Sequence, residues 1–355
     1  MRVLVFGTYQ RDYPRNAQVR SCLRRAGVAV VERHLDVWDG RREAWSAGVL
    51  SFARLALSEA RLAVPREARA GAALIGYPGH PDVLTARLAL RGVPLVFDPL
   101  VSLSDTFVGD RGRFRAGSVA AHALHGLDRA AFQRPDIVVA DTAANAAFYA
   151  EALGVDPSRL RVRFVGAEDR LFRPAPATGS GFHALFVGKL IPLHGLETIV
   201  GAARLLPEVP FRIVGSGQLS YLLRDVPANV VCVPWVEYER LPDAIRQAGC
   251  ALGVFGTSDK AARVIPNKAF QALACRTPLV TADTPAAREL LTHGTDALLV
   301  PPGNAEALAA AVRHLAEDPE LAARIGSAGR LTYEREASED VLGARWRTLL
   351  EEVAG

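Results

Sequence analysis

The chain has 355 residues, of which 50% are hydrophobic and 23% charged, with a formal net charge of +4. This length suggests two domains that each have a core, and the hydrophobic fraction excludes an intrinsically disordered chain. The four cysteines form no CxxC pair, which excludes a disulfide scaffold and argues against a zinc knuckle or a redox motif. With no visible export signal and no run of ~18 apolar residues, we expect a cytoplasmic protein whose membrane contact is peripheral.

The basic residues are unusual in type and placement. Only three of the 42 are lysines, Lys189, Lys260 and Lys268. A GC-rich coding sequence accounts for the general use of arginine. The three lysines stand out against it, because a compact ammonium group is not equivalent to a planar guanidinium. Between Arg11 and Arg69, twelve arginines accompany seven acids. This excess fits solvated helix faces or contact with an anionic inner membrane face, and the lack of interleaved aromatic residues argues against nucleic acid.

Short apolar runs alternate with helical periodicity in the first half, as in Asn16–Ala26 and Pro81–Arg91. This alternation predicts a parallel, doubly wound sheet. The predicted strands are Arg2–Phe6, Val28–Glu32, Ala72–Ile75, Pro94–Phe97, Asp136–Ala140 and Arg161–Val165.

A segment rich in Pro, Ala, Gly and Ser predicts a linker over residues 173–182, after which the same alternation returns. The predicted strands there are His183–Val187, Phe211–Val214, Val230–Val233, Ala251–Phe255, Leu279–Thr281 and Ala297–Val300. From Asn304 onward the pattern is helical. We therefore expect two Rossmann-like domains, residues 1–172 and 183–355, with a ligand in the cleft between them, and the last helix can pack back on the first domain.

Several predicted strands run into glycine turns, which let a ligand approach the backbone closely. These turns are Gly7-Thr8, Gly188-Lys189 and Gly215-Ser216-Gly217. None has the G-x-G-x-x-G pattern, so an NAD enzyme is disfavoured. A lysine at a strand end beside a helix N-terminus is well placed to hold a diphosphate, although a surface lysine in a turn is the alternative.

Arg263–Val280 is the most informative segment. Asn267 is predicted to cap a helix whose first amides, together with Lys268, can bind a phosphate group. Gln271 lies one turn further along and can reach a sugar hydroxyl. The alternative for Lys268 is a solvated first-turn lysine, a place where the helix dipole disfavours a cation.

The order of these motifs resembles the retaining, nucleotide-sugar-dependent glycosyltransferases of family four, which have the two-Rossmann GT-B fold. The resemblance covers nearly the whole chain. Its matching segments are Val165–Pro174 (G-x-D…F-x-P), Gly188–Gly195 (G-[KR]-L-x-x-x-x-G), Val214–Gly217 (V-G-x-G) and Gln271–Pro278 (E-A-L-A-C-G-x-P). The Pro-Asn-Lys variant at residues 266–268 is similar to a bacterial subgroup of that family.

The resemblance implies transfer of a sugar from a UDP or GDP sugar to an unidentified acceptor, in cell-envelope, polysaccharide or secondary-metabolite glycosylation, without a metal or other cofactor. It implies donor contacts at Gly7, Thr8, Gly188, Lys189, His194, Gly215, Gly217, Trp235, Val236, Arg263, Pro266, Asn267, Lys268 and Gln271. Among these, Lys189, Lys268 and the amides around Asn267 would hold the diphosphate. Gln271 would hold the ribose, and the loop at Trp235 the base.

Three of these positions depart from the family pattern. His194 replaces the second phosphate-binding lysine, while Arg263 and Gln271 replace the two glutamates of the Glu-x7-Glu motif. An amide can still bind a ribose, but an arginine cannot do what a carboxylate does near the donor sugar. The departures leave open a non-catalytic nucleotide-sugar-binding protein, and a GT-B nucleotide-sugar epimerase is another alternative.

The acceptor side offers three candidate catalytic residues, Asp98 and Asp105 after the strand Pro94–Phe97 and His80 in a nearby loop. Each can orient an acceptor hydroxyl or take its proton. For Asp98, capping a turn before Pro99 is an equal alternative. His122 and His125 have a spacing that permits metal binding, but solvated or packed imidazoles are more usual.

Overall fold

The computed structural model describes residues 1–38, 49–65, 69–176 and 181–355. The chain divides into two units, the first formed by Met1–Phe164 with Glu339–Gly355 and the second by Val165–Ser338. Each unit contains a six-stranded parallel sheet with helices packed against it. The predicted α/β class with two Rossmann-like domains and C-terminal helices is confirmed.

The first sheet has the order β2-β1-β3-β4-β5-β6. Its strands are β1 (Arg2–Gly7), β2 (Ala29–His34), β3 (Ala72–Ile75), β4 (Leu95–Phe97), β5 (Ile137–Ala140) and β6 (Leu160–Val162). Its helices are α1 (Pro14–Arg25), α2 (Val49–Leu62), α3 (His80–Ala89), α4 (Val119–Gln133) and α5 (Ala143–Leu153). The strand order reverses between β1 and β3, so a ligand of this unit is expected beyond their carboxyl ends.

The second sheet has the order β9-β8-β7-β10-β11-β12. Its strands are β7 (Ala184–Val187), β8 (Phe211–Val214), β9 (Val230–Val233), β10 (Cys250–Leu252), β11 (Leu279–Ala282) and β12 (Leu298–Val300). The helices that follow β7 are α6 (Leu196–Leu205), α7 (Leu241–Gln247), α8 (Asp259–Arg263), α9 (Asn267–Ala274), α10 (Pro285–Arg288), α11 (Ala305–Glu317), α12 (Pro319–Glu336) and α13 (Glu339–Ala354). The order reverses between β7 and β10, as in dinucleotide-binding sheets.

The strands and helices follow from local sequence features. Helices cover the sheets, so most strands are buried and read as continuous apolar runs. Side chains of Ser118, Thr142 and Asn304 accept the backbone N–H three residues on and start α4, α5 and α11.

The last helix, α13, is part of the first unit and packs against α1. The two backbones come close at Gly343, where a Cβ would lie 2.6 Å from the carbonyl oxygen of Cys22. Trp346 and Leu349 of α13 have no exposed surface and complete the core on this face of the sheet. The chain therefore passes from one unit to the other twice.

The division between the units falls after Phe164, whereas the sequence suggested a first domain ending at 172 and a linker over 173–182. The difference arises because the segment after Phe164 packs on the second unit. The Tyr333 hydroxyl lies 3.0 Å from the carbonyl oxygen of Ala167 and 2.6 Å from Asp169 Oδ1. Phe172 is buried, with its ring 5.6 Å from that of Tyr238. Residues 177–180 of the suggested linker lie outside the described residues.

Candidate functional site

Two glycine turns meet where the strand order of the second sheet reverses. Gly188, directly after β7, has φ +154°, and a Cβ there would lie 2.9 Å from Lys268 Nζ and 3.2 Å from His194 Cε1. A Cβ on Gly215, after β8, would lie 1.9 Å from the Gly188 carbonyl oxygen, and one on Gly217 would lie 2.7 Å from that of Leu190. Only glycine fits such approaches, so the turns predicted from sequence form one cluster with Lys268 and His194.

Lys268 is a buried cation in this cluster. Lys268 is only 9% exposed, and its Nζ has no hydrogen-bond partner among the described residues. The ammonium group lies 4.0 Å from the centre of the Phe186 ring. Burial lowers the pKa of Lys268 well below its usual range. An isolated charge is costly to bury, so this position favours either a neutral amine or an anionic ligand.

The start of α9 differs from the prediction. Asn267 was expected to cap the helix, but it is the first helical residue, and Pro266 occupies the cap position with φ −73° and ψ 153°. The proline ring holds φ near that value, so the chain enters the helix one residue early. No side chain among the described residues caps α9. Its first amides therefore need other partners, and an anion beside Lys268 would supply them.

His194 lies next to Lys268 and is almost buried. Its Nδ1 is hydrogen-bonded to the carbonyl oxygen of Lys189, so Nδ1 carries a proton, since a carbonyl only accepts. Its ring meets the Phe186 ring edge-on, with 5.4 Å between the centres. The Lys189 side chain itself is exposed. His194 thus stands where the family has its second phosphate-binding lysine, and its imidazole fixes the glycine turn.

Gln271 takes part in a polar network that sequence reasoning missed. Its side chain is hydrogen-bonded to the Tyr238 hydroxyl, which donates to Glu168 Oε1 at 3.1 Å. Burial, with the charge of Glu168, raises the pKa of Tyr238 above its usual range. Glu168 belongs to the segment Val165–Pro174 that carried part of the resemblance. The family has a glutamate at the position of Gln271. Here the carboxylate of Glu168 is linked to that position through Tyr238.

The remaining second-unit candidates lie on nearby elements. Trp235 follows β9, is 49% exposed and donates from its indole nitrogen to Glu237 Oε1 at 3.1 Å. Val236 follows it in the same loop. Arg263 is the last residue of α8 and is partly buried. Their roles in base and sugar recognition stay predictions.

Gly7 and Thr8 belong to the first unit, where the carboxylate of Asp82 fixes them. Asp82 Oδ1 accepts from the Thr8 backbone at 2.9 Å and from its hydroxyl at 3.0 Å. A Cβ on Gly7 would lie 2.3 Å from Asp82 Oδ2. Burial raises the pKa of Asp82 well above its usual range, and the neighbouring Glu59 carboxyl adds to the shift. The turn after β1 is therefore held rigidly at the carboxyl end of the sheet.

Asp98 and His80 occupy structural positions in the first unit. The Asp98 carboxylate accepts from Arg15 Nε at 2.8 Å and from a second guanidinium nitrogen at 3.2 Å, and both side chains are buried. His80 has no exposed surface, lies 5.4 Å from the Phe97 ring centre, and its Nε2 is 3.4 Å from Asp128 Oδ1. Burial lowers the pKa of His80. These geometries favour structural roles over contact with an acceptor.

Asp105 is the most accessible of the three catalytic candidates. It starts a π-helical turn, Asp105–Asp110, and lines a cavity of about 390 Å³ in the first unit together with His122, His125 and Phe148. Such turns recur at functional sites. No group of three potential metal ligands occurs among the described residues. The expectation that the protein needs no metal stays a prediction.

Asp141, at the carboxyl end of β5, was not singled out from sequence although it directly follows a buried strand. It accepts from the Asn145 amide at 2.6 Å, and burial raises its pKa from 3.8 to about 6. The folded state therefore binds this proton more tightly than the unfolded state. As a result, this group lowers the free energy of unfolding as pH rises from about 4 to about 6.

Asp141→Asn keeps an oxygen for Asn145 and removes this titration. We expect the variant to match the parent near pH 4 and to exceed it above pH 6 by at most about 3 kcal/mol, from the 1.36 kcal/mol per pKa unit. Urea unfolding across this range measures the difference. Asp225→Asn, at an exposed position, is the control, and parallel profiles for parent and Asp141→Asn would contradict the assignment.

Comparison with known proteins adds to this geometry. Residues 181–318 match the model of the family described as glycosyl transferases group 1. Over 269 residues the chain is 27% identical to a D-inositol 3-phosphate glycosyltransferase of Pseudarthrobacter chlorophenolicus, covering 68% of this chain and 61% of that protein. It is also 27% identical over 181 residues to a GDP-mannose-dependent phosphatidylinositol monomannoside mannosyltransferase of Corynebacterium glutamicum, covering 45% of that protein. The matches thus span roughly half to three fifths of these relatives.

Solved structures resemble the chain over its whole length. A sucrose-phosphate synthase from Thermosynechococcus elongatus superposes with a TM-score of 0.74 at 16% identity, covering 99% of each chain. Anabaena HepE, solved in complex with UDP, superposes with a TM-score of 0.70 at 14% identity and the same coverage. These likenesses concern the fold. The chain has the GT-B fold of two Rossmann-like domains, and within its second unit residues 181–318 are similar to the glycosyl transferases group 1 family.

Proposed function

We propose that this protein is a retaining glycosyltransferase that moves a sugar from a nucleoside diphosphate sugar to an acceptor. The observation that carries the proposal is the buried ammonium group of Lys268, which faces the glycine turn after β7 and has no hydrogen-bond partner in the described part of the chain. A diphosphate placed there would provide the missing counter-charge and meet the first amides of α9. The match of residues 181–318 to group 1 glycosyl transferases supports the same assignment.

The chemistry follows from the charge that develops on the leaving group. As the bond between the sugar and the diphosphate breaks, negative charge grows on the diphosphate, and preorganised cations stabilise it. Lys268 and the exposed Lys189 supply that charge, aided by the N-terminus of α9. The sugar passes through an oxocarbenium-like state, as in other glycosyl chemistry. We assign no protein nucleophile and no metal.

The nucleotide of the donor is UDP or GDP. Anabaena HepE was solved with UDP, while the Corynebacterium relative is described as GDP-mannose-dependent, so both remain candidates. Gln271, with Tyr238 and Glu168, is the group we assign to the ribose, because two neutral polar groups and a carboxylate converge there. The half-exposed Trp235 offers an aromatic face for the base.

We place the acceptor on the first unit, beyond the carboxyl ends of its strands. The cavity beside Asp105 provides the contacts. Two relatives are named for acceptors that contain inositol and phosphate, which makes a phosphorylated or lipid-linked polyol the class to try first. This choice also fits cell-envelope glycosylation.

Three measurements test the proposal. Calorimetric titration should detect UDP or GDP binding, and failure of both at millimolar concentration would refute the donor site. Slow hydrolysis of a UDP or GDP sugar without acceptor separates an enzyme from a non-catalytic binder, the alternative raised by Arg263 and Gln271. Proton NMR of the released sugar distinguishes transfer from epimerisation, and the anomeric configuration of a transfer product tests retention.

A further inference from the structure

The outward face of α2 is apolar. Phe52 and Leu57 are each 55% exposed, and Val64, just beyond the helix, is 53% exposed. Three alanines of the helix are exposed on the same side, Ala53, Ala56 and Ala60. At about 100° per residue, the exposed apolar positions of the helix fill one arc of about 140°. Leu55 and Leu62 point the other way and are buried.

Two arginines lie at the border of this arc, and the one carboxyl group of α2 is directed towards the protein. Arg54 and Arg61 are exposed and lie side by side at one edge of the arc. Glu59, the single acidic residue of α2, faces the protein, where it accepts from the Thr85 hydroxyl and is hydrogen-bonded to the Asp82 carboxyl. The outward face therefore carries two positive charges and no negative one.

Other arginines of the 11–69 region are engaged within the protein. Three of them surround the single carboxylate of Glu32, namely Arg11, Arg20 and Arg24. Arg15 is buried against Asp98, and Arg25 pairs with Glu339 and Asp340 of α13. Arg41, Arg42 and Arg66 lie outside the described residues. Three arginines around one carboxylate leave part of the charge excess beside Glu32. Another part lies on α2 and the neighbouring exposed Arg69.

We propose that α2 binds the surface of an anionic membrane. Its apolar arc enters the boundary between lipid headgroups and acyl chains, while Arg54 and Arg61 contact lipid phosphates, as in other helices that lie in the interface plane. A continuous exposed apolar face with a polar rim is typical of an interaction surface. A second copy of the chain is a poorer occupant, because the two cationic edges would repel each other. The helix is not long and apolar enough to cross a bilayer, and neither is any other described helix.

This surface is independent of the nucleotide site, and it extends the proposed function by bringing the first unit to lipid-borne acceptors. The full-length protein is sedimented with vesicles of phosphatidylcholine alone or mixed with phosphatidylglycerol, at low and high salt. We expect binding to the mixed vesicles only, weakening as salt rises. Phe52→Ser/Leu57→Ser and Arg54→Gln/Arg61→Gln should each lower the partition coefficient by about tenfold or more.

Leu331→Ser is the matched control, because Leu331 is 63% exposed on α12 of the second unit. It should bind vesicles like the parent. UDP and GDP titration of each variant separates loss of the membrane surface from loss of the donor site. The proposal is overturned if the parent ignores phosphatidylglycerol, or if Leu331→Ser binds as weakly as Phe52→Ser/Leu57→Ser. Dimerisation abolished by Phe52→Ser/Leu57→Ser would assign the face to a second copy and equally overturn it.

Discussion

Lys268→Met is expected to stabilise the free protein and to weaken nucleotide binding at the same time. Methionine fills a similar volume without a charge to desolvate, so the free energy of unfolding should rise by about 1–3 kcal/mol. Losing the buried cation should cost about 3 kcal/mol of binding, or roughly a hundredfold in affinity for UDP or GDP. Urea unfolding and calorimetry of the same preparations measure both changes. If Lys268 served only in packing, its substitution would not raise the free energy of unfolding while lowering the affinity for nucleotide.

The depressed pKa of Lys268 adds a pH signature to this prediction. Because the unfolded state binds the proton more tightly, this residue makes the parent more stable as pH rises from the lowered pKa towards 10.5. A bound diphosphate favours the charged ammonium, so binding should take up a proton when the free amine is neutral. Affinity should then fall by up to about tenfold per pH unit above the pKa of the free protein. Titration in buffers of different ionisation enthalpy detects the proton.

Arg324→Ala is a better control for this experiment than Lys260→Ala. Lys260 is itself 7% exposed, so Lys260→Ala would change packing as well as charge. Arg324→Ala on the exposed face of α12 removes one positive charge from the same unit without that complication. Lys189→Ala should weaken binding more than Arg324→Ala does. Equal effects of Lys268→Met and Arg324→Ala on affinity would contradict a diphosphate contact.

Asp98→Ala is expected to destabilise the protein strongly instead of acting on catalysis alone. The substitution leaves the guanidinium of Arg15 buried without its carboxylate, and breaking a buried ion pair in this way costs about 3–5 kcal/mol. The carbonyl of Phe164, which accepts from Arg15 at 2.6 Å, cannot neutralise the charge. Denaturant unfolding should show an earlier midpoint with an unchanged slope.

Two further variants separate this structural role from a catalytic one. Arg15→Met/Asp98→Leu removes both charges and should recover much of the loss, because an apolar pair can replace a buried ion pair. Arg11→Met breaks a pair in which Arg11 is 44% exposed and should cost no more than about 1 kcal/mol. A variant Asp98→Ala that unfolds like the parent while losing transferase turnover would return Asp98 to the catalytic candidates.

The strands could be predicted because parallel strands covered on both faces must be apolar along their length. Every strand predicted from sequence is present, although β6 at Val162 and β10 at Leu252 each end three residues before the predicted end. The glycines after β7 and β8 were also foreseen, since a backbone turn that touches another backbone excludes a side chain.

Features that depend on tertiary packing could not be predicted in this way. The pairing of Arg15 with Asp98 joins residues far apart in the chain, and nothing local to Asp98 distinguishes an ion pair from a turn cap. The path from Gln271 through Tyr238 to Glu168 crosses three separate elements. Burial of Lys268 depends on Phe186 of β7, whereas its own helix would equally allow a solvated lysine. At α9, Pro266 and Asn267 both suit a helix start, and only the backbone angles decide between them.

The placement of α13 in the first unit has a consequence for synthesis of the protein. Residues 1–164 are synthesised before residues 165–338, but the helix that covers α1 and buries Trp346 in their core is synthesised after both. At ordinary translation rates the intervening residues take roughly tens of seconds to appear. During that time one face of the first sheet is not covered by α13. Its apolar surface is therefore accessible to chaperones that bind nascent chains. The second unit is continuous in the chain and can complete its own core before the first unit does.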